Sequence, residues 1–140
     1  MNIVLDTNVL VSGLLTPHGA PGQIMRLVAA GDIILCHDAR IIDEYRRVLQ
    51  YEKFQFDEAL TANLIDEIKA SGIPIAAKPL GFTLPDPEDE KFLEVAIAGG
   101  VACLVTGNIR HYKTPKFVST KIINPADFIL LMAGKVGRLD

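Results

Sequence analysis

Short apolar runs alternate along the chain with longer segments in which apolar residues recur every three or four positions. The runs are rich in Val, Ile and Leu, a pattern typical of strands that are covered on both faces. They predict strands at residues 3–5, 33–36, 73–76, 101–106 and 121–123. The longer segments predict helices at residues 8–15, 21–30, 39–50, 57–70, 87–98 and 125–133.

This alternation of strand and helix indicates βα units, because parallel neighbouring strands need a crossover connection and a helix supplies it. The pattern therefore predicts an α/β fold, a three-layer α/β/α sandwich with a mainly parallel, roughly five-stranded central sheet. A chain of 140 residues is the right size for one core. We expect residues 1–134 to form a single domain and residues 135–140 to form a short C-terminal tail.

Composition places the chain among ordinary globular proteins, since 49% of the residues are hydrophobic and 22% are charged. Cys36 and Cys103 each fall in an apolar run, which favours buried, reduced thiols over a disulfide framework. No run approaches the roughly 20 apolar residues that a membrane span needs. We expect a cytoplasmic protein that does not bind a membrane.

The formal net charge is −3, so the chain lacks the overall positive charge that is typical of passive nucleic-acid binders. A polyanionic partner would therefore require something to neutralise the acidic residues. A divalent cation is the obvious candidate.

The stretch IVLDTNVLVSG, residues 3–13, is apolar except for Asp6, Thr7 and Asn8 at its centre. Asp6 follows the first strand directly, which places it at the carboxyl edge of the sheet, where ligands bind in open α/β folds. The alternative is that Asp6 only caps the next helix, a role that Asp performs well. We assign Thr7 mainly to the turn.

The segment DARIIDEYRRVLQ, residues 38–50, predicts an amphipathic helix with Glu44 at the edge of its apolar face. Glu44 lies one turn from both Ile41 and Val48, so its carboxylate can approach the core. The alternative is a surface ion pair between Glu44 and Arg40 or Arg47.

The segment DPEDEKFLEVAIAGG, residues 86–100, predicts a helix with Asp86 as its N-cap. Asp89 then lies near the helix start, where an acid complements the helix dipole. Asp89 also shares a face with three apolar residues, Phe92, Leu93 and Ala96. The other acids of the segment are expected to reach water: Glu88, Glu90 and Glu94. Asp89 is therefore the acid that we expect to point inward.

In LVTGN, residues 104–108, a strand ends in Thr106, and Thr106 and Asn108 add neutral polar groups at the same edge as Asp6. A plain turn is the alternative. Three carboxylates that converge in a low dielectric would repel one another unless a cation holds them. Hard oxygen ligands favour Mg²⁺ or Mn²⁺, and the chain has no Cys/His ligand pattern for zinc.

These four segments, in this order and spanning nearly the whole chain, resemble the motifs of the PIN-domain family, and more narrowly its toxin–antitoxin toxins related to the VapC ribonucleases. The resemblance implies a metal-dependent endoribonuclease that hydrolyses RNA phosphodiester bonds. Its catalytic, metal-binding acids would be Asp6, Glu44 and Asp89. Asn108 would add an amide oxygen to the metal, and Asn8 and Thr106 would be supporting polar residues.

One departure from the family pattern concerns the last motif. Many VapC-like proteins carry a further acid where this chain has His111, and some carry Asp where it has Asn108. One-metal catalysis or weak activity follows from the missing charge. An alternative function is therefore a catalytically weak PIN module that binds RNA or a protein partner. An aspartyl-phosphate enzyme is a third hypothesis, since those folds also place Asp after a first strand.

The stretch IRHYKTPKF, residues 109–117, combines positive charge with the aromatic residues Tyr112 and Phe117, as an RNA path with stacking groups would. A solvated loop is the alternative. The predicted RNA contacts are Arg110, His111, Lys113 and Lys116. A second basic patch is predicted at Arg40, Arg46 and Arg47. The resemblance further implies an antitoxin protein as partner and a homodimer.

Overall fold

The computed structural model describes residues 1–137 and forms one five-stranded sheet flanked by six α-helices in that range. The strands are β1 Asn2–Leu5, β2 Ile34–His37, β3 Ile73–Pro74, β4 Cys103–Val105 and β5 Lys121–Ile123. The helices are α1 Thr7–Leu15, α2 Ala20–Ala29, α3 Ala39–Leu49, α4 Glu58–Ser71, α5 Glu90–Gly99 and α6 Pro125–Gly137. Every strand pairing is parallel, which confirms the predicted α/β/α sandwich.

The strands lie in the order β3-β2-β1-β4-β5. The chain therefore builds the sheet outward from β1 in one direction, then crosses over and builds it in the other. Ligands of open α/β sheets bind at this kind of reversal, outside the carboxyl ends of the strands. Leu5 is paired with Val105 across the reversal, so the residues that follow, Asp6 and Thr106, leave the sheet side by side.

The core includes β1, in which Ile3, Val4 and Leu5 are fully buried. Helix α5 packs against β1, β2 and β4. Tyr45 of α3 is also fully buried, and its hydroxyl donates a hydrogen bond to the Leu5 carbonyl. This bond fixes α3 against the end of the central strand, next to the expected site.

The structure differs from the predicted elements at β3 and at the start of α5, among other places. Strand β3 has only two residues, because Pro74 has no N–H to donate and can be accommodated only at a sheet edge. The helix predicted at residues 87–98 begins with a 3₁₀ turn at Pro87–Asp89, and α5 starts at Glu90. Asp86 caps that turn by accepting a hydrogen bond from the Glu88 N–H at 2.9 Å.

Helix α6 continues to Gly137, three residues into the segment predicted as a C-terminal tail. The rest of that predicted tail, residues 138–140, lies outside the described residues. Between residues 1 and 137, no helix combines the length and the apolar character needed to cross a membrane.

Candidate functional site

Asp6 lies at the sheet reversal and has both of the roles considered for it. It is the N-cap of α1, and its Oδ1 accepts a hydrogen bond from the Asn8 N–H at 3.4 Å. Its Oδ2 accepts from the Thr106 hydroxyl at 2.9 Å and from the Tyr112 hydroxyl at 2.8 Å. Burial raises the pKa of the Asp6 carboxyl above its ordinary value, and the bonds from Tyr112 and Thr106 act in the opposite direction.

The loop after β4 is attached to the start of α1 by polar contacts. Asn8 Oδ1 accepts a hydrogen bond from the Gly107 N–H at 3.1 Å, and Thr106 Oγ1 accepts one from the Asn108 N–H at 3.1 Å. Thr106 is fully buried, whereas Asn108 is exposed. Asn8 and Thr106 thus support the loop and Asp6, and the metal-ligand role of Asn108 stays a prediction.

Glu44 is held at both of its carboxylate oxygens. Its Oε2 accepts a hydrogen bond from the Thr7 hydroxyl, and its Oε1 lies 2.7 Å from Lys91 Nζ. The assignment of Thr7 mainly to the turn was therefore incomplete. The arginines proposed as alternative partners of Glu44 are not the ones that pair with it: Arg40 instead contacts Asp38 and Glu94, each at 2.7 Å.

Asp89 is the acid with the fewest partners. Its Oδ2 is buried and makes no hydrogen bond, although His111 Nδ1 lies 3.3 Å away. Burial, followed by the negative charges of Asp6 and Asp86, raises the pKa of the Asp89 carboxyl to about 6. Positive charge on His111 lowers the pKa of Asp89. A cation near Asp89 would therefore stabilise the ionised carboxylate.

The three predicted acids influence one another electrostatically. The charge of Asp6 raises the pKa of Asp89, and that of Glu44 contributes to the raised pKa of Asp6. The pKa of the Tyr112 hydroxyl is raised by burial and by the charges of all three acids. The fold therefore brings them to one region. Within the described residues, however, no group of three or more His, Cys, Asp or Glu side chains is arranged to hold a metal ion.

Two of the three acids, Asp6 and Asp89, have carboxylate oxygens that suit a hard divalent cation. Asp6 accepts hydrogen bonds only from uncharged groups, two hydroxyls and a backbone N–H, and Asp89 Oδ2 is a buried oxygen without a hydrogen bond. Carboxylate oxygens are the ligands that Mg²⁺ and Mn²⁺ take in proteins, together with water. A cation beside Asp6 and Asp89 would offset the repulsion and the burial that raise both pKa values.

The predicted basic segment at residues 109–117 is only partly available to a ligand. All four predicted RNA contacts are exposed: Arg110, His111, Lys113 and Lys116. The prediction that Tyr112 stacks on a base does not fit the structure, because Tyr112 is 4% exposed and donates its hydroxyl to Asp6. Phe117 is 79% exposed. In the second predicted patch, Arg40 is paired with two acids, as described above.

Sequence reasoning missed Lys91 altogether and gave Tyr112 another role, base stacking, in place of its contact with Asp6. Lys91 is 8% exposed, and its position four residues before Val95, on a face of α5 that is buried, was the signal that could have found it. Tyr112 carried no comparable signal, because it follows a 3₁₀ turn rather than a periodic element. The expectation that Glu94 reaches water was wrong, since Glu94 accepts from Arg40 and from the Leu80 N–H.

Comparison with known proteins identifies a family and shows similarity to a solved structure. The family model for the PIN domain matches residues 2–110. A crystal structure of VapBC2 from Rickettsia felis bound to a DNA fragment from the promoter is similar in fold, with a TM-score of 0.60 and 17% sequence identity. That similarity covers 89% of this chain and 98% of the other. No curated protein matches the chain.

Proposed function

Since this chain belongs to the PIN-domain family, we propose that it is a divalent-metal-dependent endoribonuclease that hydrolyses RNA phosphodiester bonds. The observation that supports this proposal most is the pair of carboxylates at the sheet reversal. The negative charge of Asp6 raises the pKa of Asp89, and Asp89 Oδ2 is buried without a hydrogen bond. Carboxylates arranged in this way are stabilised by a bound cation.

In this mechanism the residues of the chain would bind and orient the ion, and the ion would act as a Lewis acid. A bound Mg²⁺ or Mn²⁺ would activate water and offset charge on the phosphate. Asp6 and Asp89 would hold the ion. Thr106 and Tyr112 fix the Asp6 carboxylate by donating to Oδ2, so this ligand loses little freedom on binding. Glu44 adds negative charge beside them.

The partners of the proposed enzyme follow from the same family membership. We propose a single-stranded RNA as substrate, contacted by exposed Arg110, His111, Lys113 and Lys116. We also propose that the chain is the toxin of a toxin–antitoxin pair, with a protein antitoxin, and that it forms a homodimer. Size-exclusion chromatography with light scattering tests the homodimer, whose mass would be twice that of one chain.

The test of the proposed activity compares wild type with Asp6→Asn, because Asn preserves the helix cap and removes the charge. Wild type should cut single-stranded RNA in Mn²⁺ and lose cutting in EDTA. Asp6→Asn should reduce the cleavage rate by at least about a hundredfold, since even outer ligand contacts are worth 10–100-fold. Asp66→Asn on α4, an exposed aspartate, is the control and should cut normally.

Full cleavage by Asp6→Asn would reject the proposed function.

One observation favours a second candidate, a PIN module that binds RNA with little or no turnover: within residues 1–137 the acids do not form a three-carboxylate metal group. This module would retain RNA in a filter-binding assay and leave it intact with every divalent metal. Multiple-turnover cleavage would reject it.

A further inference from the structure

Lys91 is a lysine enclosed at the start of α5, two residues after Asp89. Its side chain is 10% exposed, and its Nζ lies 2.7 Å from Glu44 Oε1. The same ammonium donates to the Glu88 carbonyl at 2.6 Å, lies 3.3 Å from Glu88 Oε2 and is 5.1 Å from the Phe92 ring centroid. Lysines are almost never buried this far unless they are paired, so these partners fix its position.

The contact makes Glu44 different from the other two acids. Thr7 donates to one oxygen of Glu44 and Lys91 pairs with the other, so the side chain is restrained from both sides. Asp6 is bonded by neutral hydroxyls and by a backbone N–H, and Asp89 Oδ2 has no hydrogen bond. The ammonium group of Lys91 therefore already offsets the negative charge of Glu44, which would otherwise be free to bind the expected metal together with Asp6 and Asp89.

We propose that Lys91 is a positioning residue that keeps Glu44 out of the metal's set of ligands and thereby sets how tightly the site binds a divalent ion. The inference rests on the proposed function, because it concerns the same site. Affinity for hard cations rises with the number of charged ligands. A site with Glu44 held by Lys91 binds metal more weakly than one in which Glu44 is released.

The test is a calorimetric titration of RNA-free protein with Mn²⁺, which measures binding and not activity. Lys91→Met keeps the length of the side chain and removes its charge, and it should tighten Mn²⁺ binding about tenfold by releasing Glu44. Lys91→Arg keeps the cation and should bind as wild type does. Adding Glu44→Gln to Lys91→Met should return the affinity to the wild-type value, because the released ligand is gone. Lys69→Met on α4 is the surface control.

Wild-type affinity in Lys91→Met would overturn the inference, as would tight binding that persists in the double variant. If Lys91→Met is unfolded without metal, circular dichroism during Mn²⁺ addition replaces calorimetry. Recovery of the helical signal then supports the inference, and a chain that stays unfolded in saturating Mn²⁺ overturns it.

The same titration separates this inference from the proposed function. Mn²⁺ binding by wild type that is unchanged in Lys91→Met would leave the function standing and reject the role of Lys91. Binding by Lys91→Met alone, with none by wild type, would support the role of Lys91 and reject metal dependence of the wild-type protein.

Discussion

At the scale of single residues, the candidate site is a set of carboxylates that differ in the groups that contact them. Glu44 has a lysine, Asp6 has two hydroxyls, and Asp89 has only a nearby histidine. The folded chain therefore carries an electrostatic cost at Asp89 that a metal would remove. Active sites commonly store destabilising charge of this kind.

This cost predicts a pH-dependent difference between wild type and Asp89→Asn in EDTA. The pKa of Asp89 rises from 3.8 to about 6 on folding, so the folded state binds more protons than the unfolded state between those values. The stability that Asp89 contributes is complete below pH 3.8 and is lost as pH rises through about 6. At pH 7.5 we expect Asp89→Asn to be more stable than wild type by about 1–2 kcal/mol.

Urea unfolding at several pH values between 3.5 and 7.5 measures this difference. The two curves of unfolding free energy against pH should meet at the acid end, separate as pH rises from about 4 to about 6, and run parallel above that range. Parallel curves over the whole range would show that Asp89 has an ordinary pKa in the folded protein.

At the scale of elements, the sequence predicted most strands and helices, because hydrophobic periodicity reports which face of an element is covered. It also predicted that Asp6 and Thr106 share an edge, since residues after parallel strands must do so. The partner of Glu44 could not be predicted in the same way. Lys91 lies on α5, 47 residues after Glu44 in the chain. Side-chain pairing at that separation depends on how α3 and α5 pack.

Helix packing also gives a prediction at Gly22 of α2. A Cβ at this position would lie 2.0 Å from the Pro17 carbonyl oxygen and 2.4 Å from its carbon, which are backbone atoms that cannot rotate away. We expect Gly22→Ala to lower the free energy of unfolding by roughly 1–3 kcal/mol. Thermal and urea denaturation followed by circular dichroism measure the loss.

Gly81→Ala is the matched control, because nothing lies within 4 Å of the Cβ that it would add. Its stability should stay within about 0.5 kcal/mol of wild type. Equal effects of the two substitutions would show that the contact with Pro17 does not limit α2.

At the scale of the whole molecule, charge is distributed unevenly. The chain has a formal net charge of −3, yet four exposed basic or titratable residues follow β4 on the segment whose His111 and Tyr112 contact Asp89 and Asp6. A nucleic acid would therefore be repelled by most of the surface and attracted at one edge. Binding of this type depends on few phosphate contacts and on the salt concentration.

We predict that Lys113→Ala with Lys116→Ala, made in the Asp6→Asn background to prevent cleavage, weakens RNA binding. The slope of log affinity against log salt should become shallower by roughly 1.4, since each contact with a single strand contributes about 0.7. Fluorescence anisotropy with a labelled single-stranded RNA measures both. The control pair, Lys53→Ala with Lys69→Ala, removes the same charge from exposed positions elsewhere, and a slope change of the same size there would contradict a local RNA path.

The bonds on Asp6 also bear on protein synthesis. Asp6 directly follows the first strand, whereas the hydroxyls that hold it come from residues 106 and 112. A ribosome must therefore add residue 112 to the chain before both groups exist. Because β1 pairs with β4 as well as with β2, one edge of the central strand also stays unpaired until β4 has been synthesised. A nascent chain that stops short of residue 112 therefore lacks one or both of the hydroxyl groups that hold Asp6.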